Sequence, residues 1–196
     1  MRHDGSGAAT KDRRAPRTLL QHADLRFAAL LGLAAWLSDW ASKSWALDVV
    51  AHAPVELGNR LLLGVVRNDA LAFSTMASMP LGSIMSLRLT CIAVLAVLAI
   101  RFAAESRRLA CAFSLLLAGG VGNVADLFFR QGAVVDFIGL GPFPVADSEV
   151  AIVFNLADIW IKVGVILAFP LIRRAAHRTQ QASEDFERRL LSARAR

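Results

Sequence analysis

Asn155 and Asp158 stand three residues apart in "FNLADIWI", at the head of an apolar stretch that continues as "KVGVILAFPLI". A spacing of three puts both side chains on one face of a helix. An acid in an apolar span is expensive, and it is kept either as half of a pair or for chemistry. Asn123 and Asp126 repeat the spacing in "GNVAD", and Asp39 and Lys43 lie four apart in "DWASK", close enough to pair. Asp136 lies in the apolar segment "AVVDFIGLG" with no cation nearby in sequence, whereas Asp158 has Lys162 one turn on as a candidate partner.

Carboxylates are the reactive groups this chain offers. There is no GxSxG elbow, no HExxH and no His/Cys ligand set, so no metal or other cofactor is expected. Two carboxyls brought together in a low-dielectric site cannot both ionise cheaply, so one keeps a proton. The charged member can activate water. The protonated member can polarise a carbonyl and later protonate the leaving amine. That is aspartic peptidase chemistry.

These groups must be positioned by membrane elements. Of 196 residues, 56% are hydrophobic, and mean hydropathy is +0.49. Four apolar segments approach the roughly 20 residues a helix needs to cross hydrocarbon. They run about Leu25–Leu47, Ser83–Phe102, Leu109–Phe128 and Val150–Ile172. The expected fold is an all-α membrane protein with four transmembrane helices. Residues 1–24 read as a disordered basic tail, 25–172 as the transmembrane domain, and 173–196 as a charged helical tail.

The net charge of +6 raises nucleic acid as a partner, but the distribution of arginine argues against it. Arginines crowd both tails and the short connection holding Arg101, Arg107 and Arg108, where the positive-inside rule places cytoplasmic segments. No basic–aromatic interleaving occurs, and Tyr is absent. With an even number of spans, both termini are cytoplasmic and the connections 48–82 and 129–149 are outside. The first of these reads as short strands around a Gly-Asn turn, forming an outer platform. The polar groups of the spans then all fall in the outer leaflet. A proton-coupled transporter would need them in the inner halves too, and "LGLAAWL", "VLAVLAI" and "VILAFPL" offer none. Cys91 and Cys111 read as small hydrophobes, and Gly119, Gly120 and Gly122 as a packing surface.

Five blocks in order resemble the signal peptidase II family: "DWASK", "RNDALAFS", "GGVGNVAD", "VVDFI" and "FNLAD". Together they cover about residues 25–170. The resemblance implies four transmembrane helices with a small extracytoplasmic β-cradle, and a membrane aspartic endopeptidase of the bacterial cytoplasmic (inner) membrane. Its catalytic pair would be Asp136 and Asp158. Asn68, Asn123, Asp126 and Asn155 would position substrate and hold the site, and Asp39 and Lys43 would support it. The implied substrate is a prolipoprotein, diacylated on a cysteine and embedded in the bilayer, cut just before that cysteine by a monomeric enzyme. Two departures stand out. Leu127 replaces the family arginine that follows Asp126, and Ala70 replaces a glycine. Arg130, four residues beyond Asp126, is placed to reach back to it. The alternative is a paralogue that binds lipoproteins or lipids without cutting them, or with altered specificity.

Overall fold

The structure is a computed structural model and describes residues 17–58, 60–68, 81–103, 106–141 and 152–194. Its elements in chain order are α1 (Arg17–Trp45), a π-helical turn (Ala46–Val50), β1 (Val55–Leu57), β2 (Leu61–Asn68), α2 (Leu81–Ala103), α3 (Arg107–Phe129), β3 (Val134–Leu140), β4 (Ile152–Phe154) and α4 (Leu156–Arg194). Four helices and a small antiparallel sheet of order β1-β2-β3-β4 make up the whole.

The bundle is packed on small residues. Its buried apolar positions include Ala28, Ala35, Ala110, Ala112, Ala118, Ala125, Ala157 and Ala168. Leu109, Phe113, Leu115 and Leu116 of α3 are buried with them, whereas many large side chains of the surrounding helices face outward: Leu30 and Leu33 on α1, Val94, Val97 and Ile100 on α2, and Ile166 and Phe169 on α4. Apolar outer faces over a core rich in small residues suit helices that meet lipid, where small residues let backbones approach. By length and composition, Met85–Phe102 and Arg107–Phe129 are apolar enough to cross a membrane. The charged pairs in the apolar stretches of α1 and α4 dilute those two helices.

α3 is the central helix and packs against the other three. Ser106 caps its start by accepting from Leu109 N at 3.4 Å. A Cβ on Gly119 would come within 2.5 Å of Ala157 O, and one on Gly122 within 2.5 Å of Asp39 Oδ2. These glycines therefore set how closely α4 and α1 approach α3. Gly120 is less constrained: its Cβ would meet only Ile92 Cγ1, at 3.4 Å. At the other end of α3, Gln131 and Gly132 adopt φ of 62° and 82°, turning the chain sharply into β3.

Several boundaries differ from the sequence expectation. α1 begins at Arg17, so the stretch from there to residue 24 is helix rather than disordered tail. Residues 1–16 lie outside the described residues. The fourth apolar segment does not begin as helix: Ile152–Phe154 form β4, and the helix starts at Leu156. Their apolar side chains run on into those of the helix with no Gly or Pro between, so composition gave no boundary. α4 then continues without interruption through Pro170 to Arg194. The platform expected in the first outer connection is present as β1 and β2. Asp69, Ala70, Ala72, Phe73, Ser74, Asp147 and Glu149 lie outside the described residues. Cys91 is exposed on α2, and Cys111 packs beside Ala28 and Ala110.

Candidate active site

The sheet delivers two of the site's polar residues to Asp136. In the β2–β3 register Asn68 lies opposite Val134 and Val66 opposite Asp136. Asn68 is thus a diagonal neighbour of Asp136 on one face, and its Nδ2 donates to Asp136 Oδ2 at 3.0 Å. In the β3–β4 register Phe154 lies opposite Ile138, which brings the next residue, Asn155, beside Asp136. Asn155 is fully buried, and its Nδ2 donates to Asp136 Oδ1 at 2.7 Å.

Asn155 is also the cap of α4. Its Oδ1 accepts from Asp158 N at 3.0 Å, and its own N donates to Asp158 Oδ2 at 3.3 Å. This reciprocal pair is a capping box built from Asn and Asp, and it explains the spacing of three. Asp39 Oδ1 accepts from Ala157 N at 2.8 Å, satisfying another free donor of the helix start. Asn123 Nδ2 donates to Asp158 Oδ1 at 3.0 Å. Asp136 and Asp158, 22 residues apart in sequence, therefore accept hydrogen bonds from one residue, Asn155.

Lys43 organises the floor beneath them. Its ammonium is buried and lies 2.8 Å from Asp39 Oδ2, 2.9 Å from Asp126 Oδ2 and 2.9 Å from Asn123 Oδ1. All three of its donors are thereby occupied. Asn123 Oδ1 also accepts from Asn155 Nδ2 at 3.0 Å. Asp126 Oδ2 accepts from Val135 N at 3.1 Å, tying α3 to β3. The i,i+4 pair expected between Asp39 and Lys43 exists, and Asp126 shares its cation.

The eight residues singled out in sequence, Asn68, Asn123, Asp126, Asp136, Asn155, Asp158, Asp39 and Lys43, thus form one connected network. Lys162 does not join it. It is exposed, and its ammonium lies 5.0 Å from the Phe154 ring centroid. Both oxygens of Asp158 are instead turned toward Asn123 and Asn155. Arg130 does reach back: its Nη1 lies 3.4 Å from Asp126 Oδ1, an ionic contact without hydrogen-bond alignment. Sequence reasoning missed Trp40 and Ser44, whose backbone and hydroxyl oxygens accept from Arg130 Nη2 at 3.2 and 3.0 Å. Their only signal is that Ser44 follows Trp40 by one helical turn.

The two kinds of acid differ in what holds them. Asp39 and Asp126 face cations and backbone N–H groups. Asp136 and Asp158 are held by neutral amides. Burial pushes the Asp136 carboxyl above its ordinary value, and the nearby Asp158 charge adds to this; the Asn68 and Asn155 hydrogen bonds and Lys43 oppose it. Among the described residues no group of His, Cys, Asp or Glu is arranged to hold a metal ion.

A lipid-suited bundle carrying an amide-held pair of carboxyls has the make-up of a membrane hydrolase of the aspartic type. Residues 31–173 match the family model described as Signal peptidase (SPase) II. The chain is 36% identical over 148 residues to the lipoprotein signal peptidase of Nitrobacter hamburgensis, an alignment covering 72% of this chain and 88% of that one. It is 36% identical over 154 residues to that of Streptomyces coelicolor, covering 72% and 69%. A solved structure titled "Bacterial membrane enzyme structure by the in meso method at 2.3 A resolution" shares the fold, with a TM-score of 0.58 and 22% identity over 76% of this chain and 89% of that one. The chain belongs to the signal peptidase II family, a family of aspartic peptidases.

Proposed function

We infer that this chain removes signal peptides from diacylglyceryl-modified prolipoproteins, cutting just before the lipidated cysteine, with Asp136 and Asp158 as the catalytic pair. The observation that carries the reading is the shared donor: one buried asparagine bonds both carboxyls. Asp136 is 3% exposed, and burial favours its protonated form. Asp158 is half-buried in the first turn of α4 and is the member water can reach. One carboxylate takes a proton from water as it attacks the scissile carbonyl. The protonated partner gives its proton to the carbonyl oxygen; on collapse the first carboxyl passes the proton it took from water to the leaving nitrogen, while the partner recovers its own from the diol hydroxyl.

The supporting residues divide by contact. Asn68, Asn123 and Asn155 orient the carboxyls, and Lys43 with Asp39 and Asp126 fixes the helices that carry them. The same reading places all four helices across the cytoplasmic membrane, with both termini inside and the site on the outer face. Exposed aromatics at the site end support that depth: Trp45 is 45% exposed, Phe128 62% and Phe129 75%, as at a membrane–water interface. Arg101 and Arg107 lie at the opposite ends of their helices. The substrate is membrane-embedded, so a site at the interface meets its scissile bond without extracting it from the bilayer. The enzyme acts as a monomer on this reading.

Asp136→Asn and Asp158→Asn should each abolish processing of a prolipoprotein in reconstituted membranes while the protein still accumulates. Retained cleavage in either variant sinks the assignment. Leu127 motivates a second reading, a paralogue that binds lipidated proteins without cutting them. Failure of the intact chain to rescue cells depleted of their own lipoprotein peptidase would favour it.

A further inference from the structure

We propose that Arg130 is a positioning residue of the carboxylate pair, acting through Asp126 on both aspartates at once; the proposal rests on the peptidase reading above. Arg130 is 8% exposed at the C-terminal end of α3. A guanidinium keeps its charge when buried, so its retention there needs a partner that uses it. Nη2 donates to Trp40 O at 3.2 Å and Ser44 Oγ at 3.0 Å, and the guanidinium carbon lies 4.5 Å from the Trp40 ring centroid. Three contacts from α1 therefore hold the guanidinium beside Asp126, with Nη1 3.4 Å from Oδ1 in an ionic contact. The backbone oxygen of Arg130 accepts from Arg67 Nη1 at 3.4 Å, which ties β2 to the same corner.

Two routes lead from Asp126 to the reacting groups. Its Oδ2 accepts from Val135 N at 3.1 Å, and that peptide directly precedes Asp136. The same oxygen lies 2.9 Å from Lys43 Nζ; Lys43 donates to Asn123 Oδ1 at 2.9 Å, and Asn123 Nδ2 donates to Asp158 Oδ1 at 3.0 Å. A shift of the Asp126 carboxylate therefore moves both members of the pair. The charges converging on this corner are Asp39 and Lys43 of α1, Asp126 of α3, Arg67 of β2, Asp136 of β3 and Asp158 of α4. Lys43 and Arg130 together offset Asp39 and Asp126. Removal of the Arg130 charge leaves an uncompensated anion beside the pair, which disfavours ionisation of both members. Both limbs of the pH–rate profile then move to higher pH.

The test is cleavage of a diacylated lipopeptide by the full chain in lipid bicelles, across pH, for Arg130→Gln, Arg130→Lys and Ser44→Ala, with Asp136→Asn as control. Arg130→Gln should lower kcat on the order of ten- to a hundredfold with KM little changed, and shift the profile upward. Arg130→Lys keeps the charge but cannot reproduce the fork to Trp40 O and Ser44 Oγ, so kcat falls with the profile in place. Ser44→Ala should lower kcat by a smaller factor, also without a shift. Wild-type kcat and pH profile in Arg130→Gln overturns the proposal, as does an equal shift in Arg130→Lys. If Arg130→Gln does not fold, wild-type kcat in both Arg130→Lys and Ser44→Ala overturns it. Cleavage by Asp136→Asn overturns the peptidase reading itself. An inactive control beside wild-type-like Arg130 variants removes only the role of Arg130.

Discussion

Asn155→Ser separates the two tasks that Asn155 performs. The serine hydroxyl can still accept from Asp158 N at the start of α4, so the helix cap survives; cap residues of these two types differ by only a few tenths of a kcal/mol. What is lost is the Nδ2 donor, which reaches Asp136 Oδ1 at 2.7 Å and Asn123 Oδ1 at 3.0 Å. Asp136 keeps its bond from Asn68 at the other oxygen, so the carboxyl is loosened rather than freed. A hydrogen bond to a charged group contributes about 1.5–3 kcal/mol. If that difference appears fully in the transition state, kcat/KM falls roughly 10- to 160-fold, at about 1.4 kcal/mol per factor of ten. Loss of the same bond also removes one influence that holds the Asp136 carboxyl down, so the basic limb of the pH–rate profile, where the protonated member ionises, should move upward. The assay pairs lipopeptide cleavage with thermal unfolding in the same detergent. A variant that loses Tm in proportion to its activity would show that Asn155 matters only as a cap. A variant with unchanged kcat/KM would show that Asp136 is not oriented by it.

Asp136→Asn should also change how stability depends on pH. Burial raises the Asp136 carboxyl in the folded state, so the stability that protonation confers is present below its ordinary value and lost as pH rises through the raised one. The variant lacks that loss, so its Tm relative to wild type should become more favourable as pH rises above the ordinary carboxylate range; a flat difference in scanning calorimetry would contradict this. Lys43→Met leaves Asp39 and Asp126 buried without their shared cation, at a cost of about 3–5 kcal/mol, and should appear as loss of folded protein in detergent-solubilised membranes. Gly122→Ala and Gly119→Ala each force a Cβ to within 2.5 Å of a fixed oxygen, whereas Gly120→Ala meets only Ile92 at 3.4 Å. The first two should lower Tm, by about 1–3 kcal/mol of stability, and the third should leave it unchanged; equal effects would mean these contacts are not what space the helices.

Local spacing made much of the site legible. The i,i+4 relation of Asp39 to Lys43 and of Asp126 to Arg130 marks real contacts, and the i,i+3 relation of Asn155 to Asp158 marks a capping box. The ends of α2 and α3 fall within two residues of the apolar segments read from sequence, because unbroken apolar runs define them. What spacing cannot show is which element supplies the second partner. That Lys43 serves Asp126 as well as Asp39 depends on how closely α1 approaches α3, which Gly122 sets. Lys162 has the correct spacing to pair with Asp158, but the Asp158 oxygens turn instead to Asn123 of α3 and to the backbone N–H of the cap residue Asn155. Strand β4 was hidden because Ile152–Phe154 is as apolar as the helix that follows. Asn155 itself, a strong cap residue with an acid three positions on, was the signal that the helix starts there and not earlier.

On the peptidase reading only two of the network's four acids react, and the four differ in what holds them. Asp39 and Asp126 are the most deeply buried, at 1% and 0% exposure, so depth is not the distinguishing feature. Each lies against a cation and accepts from a backbone N–H of another element. Such partners fix each carboxylate between helices and occupy its oxygens, which leaves it a structural part rather than a free one. Amides differ. Asn68, Asn123 and Asn155 orient Asp136 and Asp158 without neutralising them. On the peptidase reading, two carboxyls oriented by neutral donors and not by cations are the ones free to exchange a proton during hydrolysis. The cations beneath make this possible by fixing α1, α3 and α4 against one another, so the amides above need only aim.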